Sequence, residues 1–262
     1  MNNFKKLYLS IVIAVITFDS SISFAQFNNI KFVTGAYTFQ TKYDSINYAT
    51  QLRVKKNKKI IYKEIFPDRI TDIKEFDLDN DGKKEILINM FSGGAHCCTN
   101  LYAGKIINNK FQFTDSILWG NSFYEIEDLN KDKKFQVLGM NDMFAYAFTN
   151  YAQSQFNILI FGYANNKFVN VTKNFPKLIE EEISKMTEEL KQFQGPEFKC
   201  PELNEDTFNT DAGAVKAILA VIVADYSTLG EIQKGYDIVN EIYKCPDKEK
   251  FIQTLENDFK LK

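Results

Sequence analysis

Residues 77–98 read DLDNDGKKEILINMFSGGAHCC and bring together a run of carboxylates, the chain's one histidine and two adjacent thiols. Asp77, Asp79, Asp81, Gly82 and Glu85 follow the pattern D-x-D-x-D-G-x-x-E. Alternate carboxylates on a tightly turning loop converge their oxygens on a hard cation, and glycine takes the sharp bend. A helix–loop–helix calcium loop would need a bidentate glutamate at its twelfth position. That position is Ile88, and strand-like KEILINMF follows. The spacing therefore points to one strand–loop–strand calcium site, with side-chain ligands Asp77, Asp79, Asp81 and Glu85 and the carbonyl of Lys83 beside them. Magnesium seldom uses an all-protein cage. The competing expectation is a solvated polar turn. Like charges packed this closely repel without a cation, which favours the metal.

A second copy begins 51 residues after Asp77, with Asp128, Asn130 and Asp132. Lys133 replaces Gly82 there and Gln136 replaces Glu85. This copy is expected to keep the turn and to have lost the metal.

The four cysteines are Cys97, Cys98, Cys200 and Cys245. An even count in an exported chain favours disulfides, with three connectivities open. Pairing Cys200 with Cys245 would close a long loop, worth roughly 4 kcal/mol in the chain-entropy description. Cys97 and Cys98 would then be left to each other. Consecutive Cα atoms lie about 3.8 Å apart, below the usual disulfide range of about 4.4–6.8 Å, so a vicinal bond is strained and more easily reduced. The alternatives are pairing elsewhere or two reduced thiols in a packed turn. Adjacent residues on a strand point to opposite faces, so His96 and Cys97 do not make a catalytic pair. A structural role for His96 is preferred. One histidine excludes zinc sites built from several, and no motif singles out a carboxylate pair for glycoside hydrolysis.

Short runs rich in Phe, Tyr, Ile and Val, broken by Asn, Asp, Gly and Lys, make residues 26–172 an antiparallel β-rich repeat domain. Asn-Lys turns at Asn57, Asn109 and Asn166 recur after 52 and 57 residues. Repeats of that length with several strands each suggest propeller-like blades, and about two and a half units imply an open or abbreviated version. Within FAYAF, Phe144, Tyr146 and Phe148 would share one strand face, read as core beneath the helices. Residues 173–262 turn helical, with Ile179, Ile183, Met186 and Leu190 at helical spacing. AVKAILAVIVADY is too short for a membrane span and reads as a buried helix, with Asp211 as its cap. Pro246 suits the first turn of a last helix carrying Phe251, Leu255 and Phe259. The fold class is thus α+β, a β-repeat domain followed by a small helical bundle.

Residues 1–25 have the form of a secretory signal peptide: Lys5 and Lys6, an apolar run from Leu7 to Phe18, and small residues at Ser23 and Ala25. Cleavage after Ala25 leaves 237 of the 262 residues, exported to the periplasm or secreted, with no membrane span. A net charge of −2 offers no electrostatic case for nucleic acid.

The D-x-D-x-D-G-x-x-E loop ahead of a strand resembles FG-GAP/VCBS-type repeats, also found in integrin-like propellers. SGGAHCC, then FAYAFTNYAQS, then a hairpin and helices, is similar to a group of exported bacterial proteins of unknown function over roughly residues 50–245. The resemblance implies export and a calcium site, and no established activity. The expectation is an exported calcium-binding β-repeat protein acting as a binding or interaction module toward a protein or glycan. The alternative is a cell-envelope enzyme acting on glycan or thiol–disulfide substrates through Cys97/Cys98 or carboxylates.

Overall fold

The computed structural model describes residues 29–94, 97–193, 195 and 197–262. The signal segment and His96 lie outside the described residues.

Among the described residues, alternating side chains and Asn-rich turns build three antiparallel four-stranded sheets. The first holds β1 (Lys31–Thr34), β2 (Tyr37–Asp44), β3 (Ala49–Lys56) and β4 (Lys59–Phe66). The second holds β5 (Arg69–Phe76), β6 (Glu85–Phe91), β7 (Thr99–Ile107) and β8 (Lys110–Gly120). The third holds β9 (Tyr124–Glu127), β10 (Gln136–Met140), β11 (Ile158–Ala164) and β12 (Lys167–Asn170). In each sheet, strands adjacent in sequence pair with one another, giving the up-and-down meander of a propeller blade. The repeated Asn-Lys turns join the third and fourth strand of every sheet. Asn57, Asn109 and Asn166 all take positive φ there, a conformation asparagine tolerates better than most residues. There are three full units rather than two and a half. The first is completed by β1 and β2, which are joined by a tight Gly35–Ala36 turn instead of an acidic loop.

Apolar faces meet between successive sheets. Phe39, Leu52 and Val54 of the first pack on Ile73, Ile86, Ile88 and Met90 of the second. Leu87, Leu101, Ile117 and Trp119 on the opposite face of the second pack on Val137 and Tyr163 of the third. Gly139 of β10 is needed there, because an added Cβ would lie 2.5 Å from the Trp119 ring.

Among the described residues four α-helices follow: α1 (Pro176–Leu190), α2 (Asp211–Thr228), α3 (Ile232–Ile242) and α4 (Lys248–Asn257). α1 buries the stripe Ile179, Ile183, Met186 and Leu190. α2 is buried continuously from Ala212 to Asp225, so the other helices wrap it. Its cap is Thr210, whose Oγ1 accepts from Gly213 N–H at 3.3 Å, and Asp211 is the first helical residue. Pro246 lies in the turn before α4 rather than inside its first turn.

The FAYAF segment is not a strand. Asp142–Phe144 forms a 3₁₀ turn, and Tyr146 takes φ 57°. Phe144 and Phe148 nevertheless enter the helical core, where both meet the ring of Phe259. Tyr146 turns away and stays partly exposed. The expected core role therefore holds for two of the three aromatics, without the strand.

Candidate metal centre

The acidic loop joins β5 to β6, and its shape comes from its own carboxylates. Asp77 accepts from the N–H groups of Asp81 and Gly82, both at 3.0 Å. Asp81 Oδ1 accepts from Lys83 N–H at 2.7 Å. Glu85 Oε2 reaches back to Leu78 N–H at 2.8 Å. Asn80 and Gly82 take the positive φ values that close the turn.

The β9–β10 loop repeats this pattern bond for bond. Asp128 accepts from Asp132 and Lys133, Asp132 from Lys134, and Gln136 Oε1 from Leu129. Lys131 and Lys133 hold the positive φ of Asn80 and Gly82. The two loops are also joined, since Phe135 N–H donates to the Leu78 carbonyl at 2.9 Å. A loop with fewer carboxylates thus reaches the same turn, so hydrogen bonding alone is enough to shape it.

The structure brings Asp77, Asp79 and Glu85 together, each offering a carboxylate oxygen within 4.8 Å of the others. Asp79 Oδ1 is out of solvent contact and has no hydrogen-bond donor among the described residues. Asp81 is not in this group; its second oxygen lies 4.0 Å from Lys105 Nζ. Lys83 donates its N–H to Asp81, outside the group of three.

Sequence reasoning missed one residue of the site. Lys105 of β7 places its ammonium 2.6 Å from Glu85 Oε1 and 5.5 Å from the centre of the Tyr163 ring. The register pairing Ile86 with Gly104 sets Lys105 opposite Glu85 one step further along. Burial raises the Glu85 carboxyl pKa above its usual value, while Lys105 and the Leu78 N–H oppose the rise without cancelling it. The loop's carboxylates therefore already face a cation from the neighbouring strand, and the repulsion argument for a metal is weaker than the sequence suggested.

Cys97 and Cys98 are bonded to each other at the end of the β6–β7 connection, where Cys98 N–H donates to Ser92 Oγ at 2.6 Å. Cys200 is bonded to Cys245, with Cα atoms 5.1 Å apart, tying the loop before α2 to the turn before α4.

These features define an α+β protein of three blade-like meanders with a helical tail and two matching acidic inter-strand loops, of which the β5–β6 loop gathers three carboxylates. No known family model matches the chain. Over 181 residues, 68% of this chain, it is 24% identical to a probable thylakoid lumen protein of Synechocystis. The match covers 49% of that relative, so the chain spans about half its length.

Proposed function

We propose that the chain is an exported, calcium-binding β-repeat protein of FG-GAP/VCBS type that serves as a binding module. The leader-like residues 1–25 support export, as does similarity to a protein described as lumenal. Among the described residues no helix is long and apolar enough to cross a membrane. The calcium reading rests on one observation: Asp79 Oδ1 is unpaired within a group of three converging carboxylates. A buried acceptor without a donor is costly, and a cation removes that cost.

Calcium at Asp77, Asp79 and Glu85 must displace the Lys105 ammonium from Glu85. The affinity should accordingly be low, about 10⁻⁴–10⁻³ M as in extracellular calcium modules. The test is a thermal melt of residues 26–262 in calcium and then in chelator. Calcium at 100 times its dissociation constant stabilises by about 2.7 kcal/mol. Asp79→Ala with Asp81→Ala should abolish the shift, and Lys105→Met should let it appear at roughly tenfold lower calcium. Absence of any shift in both the wild type and Lys105→Met would make the loop a solvated turn closed by its own lysine.

A further inference from the structure

The second and third sheets pack together through Leu87, Leu101 and Trp119. Along β6 the same face continues through Asn89 and Phe91, since side chains two apart on a strand share a face. Here the sheets part around a cavity of about 700 Å³, with Cys97 at its rim. This volume lies within the roughly 300–1,000 Å³ typical of small-molecule sites. A second hollow of about 480 Å³ shares Asn121, Phe123 and Tyr151 with the first and runs on to Glu125 and Asp142. Phe123 stands between the two with 87% of its surface exposed.

The chemistry of the walls is one-sided. Among the described residues, Asp72, Glu125 and Asp142 line the hollows against one cation, Lys74, which is already paired with Asp72 at 2.7 Å. Phosphate and carboxylate ligands are therefore disfavoured. Asn121 Nδ2 donates to both oxygens of Asp142, at 3.1 and 3.2 Å, and its Oδ1 has no partner among the described residues. Asn89 Nδ2 donates to Thr71 Oγ1, and its Oδ1 is likewise unpaired. Both oxygens are out of solvent contact, so a ligand reaches them by turning the amides, at the expense of the Nδ2 bonds to Asp142 and Thr71. The site offers acceptors and a bare aromatic face. Its complement is a molecule with many hydroxyl donors, apolar C–H faces and no negative charge.

We propose that this double hollow binds a neutral oligosaccharide. Phe123 stacks on the sugar rings, while Asp72, Glu125, Asn89 and Asn121 accept hydroxyl protons. The proposal rests on the binding-module reading but does not require calcium.

The chain's one tryptophan, Trp119, stacks on Tyr124 of the cavity wall at 6.0 Å, so its emission serves as a reporter. The oxidised chain, residues 26–262, is titrated with neutral di- to tetrasaccharides of glucose, galactose, mannose and N-acetylglucosamine. Uronic-acid oligosaccharides and neutral tetrapeptides run alongside, and each titration is repeated by calorimetry. At least one neutral series should bind with a dissociation constant of about 1 mM or lower. Phe123→Ala should weaken that binding at least tenfold with no change in melting temperature. Ile65→Ala, at an exposed position on β4, should leave it unchanged. The proposal is overturned if no neutral saccharide binds at millimolar concentration, if only peptides or uronic acids bind, or if Phe123→Ala binds like wild type. Sugar binding that persists in chelator without a calcium-dependent melt removes the metal and keeps this site. The reverse result removes this site and keeps the metal.

Discussion

Asp225 is 1% exposed inside α2. Burial pushes its carboxyl up to about 8, the nearby Glu182 carboxylate adds to the rise, and a bond from Asn157 opposes it. Its other oxygen, Oδ2, has no partner among the described residues. Burial raises Glu182 as well, against the Ile158 N–H and Lys185. Between about pH 4 and about 8 the folded protein holds a proton on Asp225 that the unfolded chain has released. Stability must therefore fall as pH rises through that window, by at most about 1.4 kcal/mol per pH unit from this group. Urea denaturation from pH 4 to pH 9 should show the decline. Asp225→Asn should flatten most of it, matching the wild type at pH 4 and exceeding it at pH 8; an unchanged slope would place the titration elsewhere. Single residues of this kind are poorly legible in a sequence. Asp225 and Glu182 meet only once helices pack, and Lys105 meets Glu85 across a hairpin 20 residues apart. The carboxylates Asp77, Asp79 and Glu85 were legible because one short loop carries all three.

Elements follow local pattern where it is strong. The stripes of α1 and the Asn-Lys turns were readable because their periods repeat without interruption. FAYAF alternates aromatic and small residues like a strand, yet no sheet receives it; two of its rings go beneath the helices and the backbone turns instead. The paired acidic loops allow a comparison inside one molecule. Gly82 and Lys133 occupy equivalent left-handed positions, φ 80° and 66°, and an added Cβ at Gly82 meets no atom within 4 Å. Gly82→Ala therefore tests backbone strain alone and should cost about 1–2 kcal/mol. Lys133→Gly should stabilise, by less than about 1 kcal/mol, because glycine's greater freedom when unfolded offsets part of the relief. Melting temperatures of the two variants measure both effects, and equal shifts in one direction would contradict the equivalence.

At the scale of the molecule, the chain makes three meanders in sequence order and then wraps three helices around a fourth. The order of sheets and helices was visible in composition, while the completeness of the first sheet was not, because β1 and β2 lack the acidic loop that marks the other two units. On the proposed export, the buried α2 has a further consequence for how the chain would cross a membrane. The helix is 18 residues long from end to end, and in an exported chain it would travel unfolded before any of its packing partners exist. Lys216, paired with Asp247 in the fold, and Asp225 each oppose partition into the bilayer by about 2.5–3.5 kcal/mol near a helix centre, against about 0.3–0.6 kcal/mol gained per Leu, Ile or Val. In a chain exported as proposed, these two charges would thus act as a release signal in the translocation channel. Replacing Lys216 and Asp225 together with leucine should leave the protein arrested in the membrane fraction, where the parent chain is released.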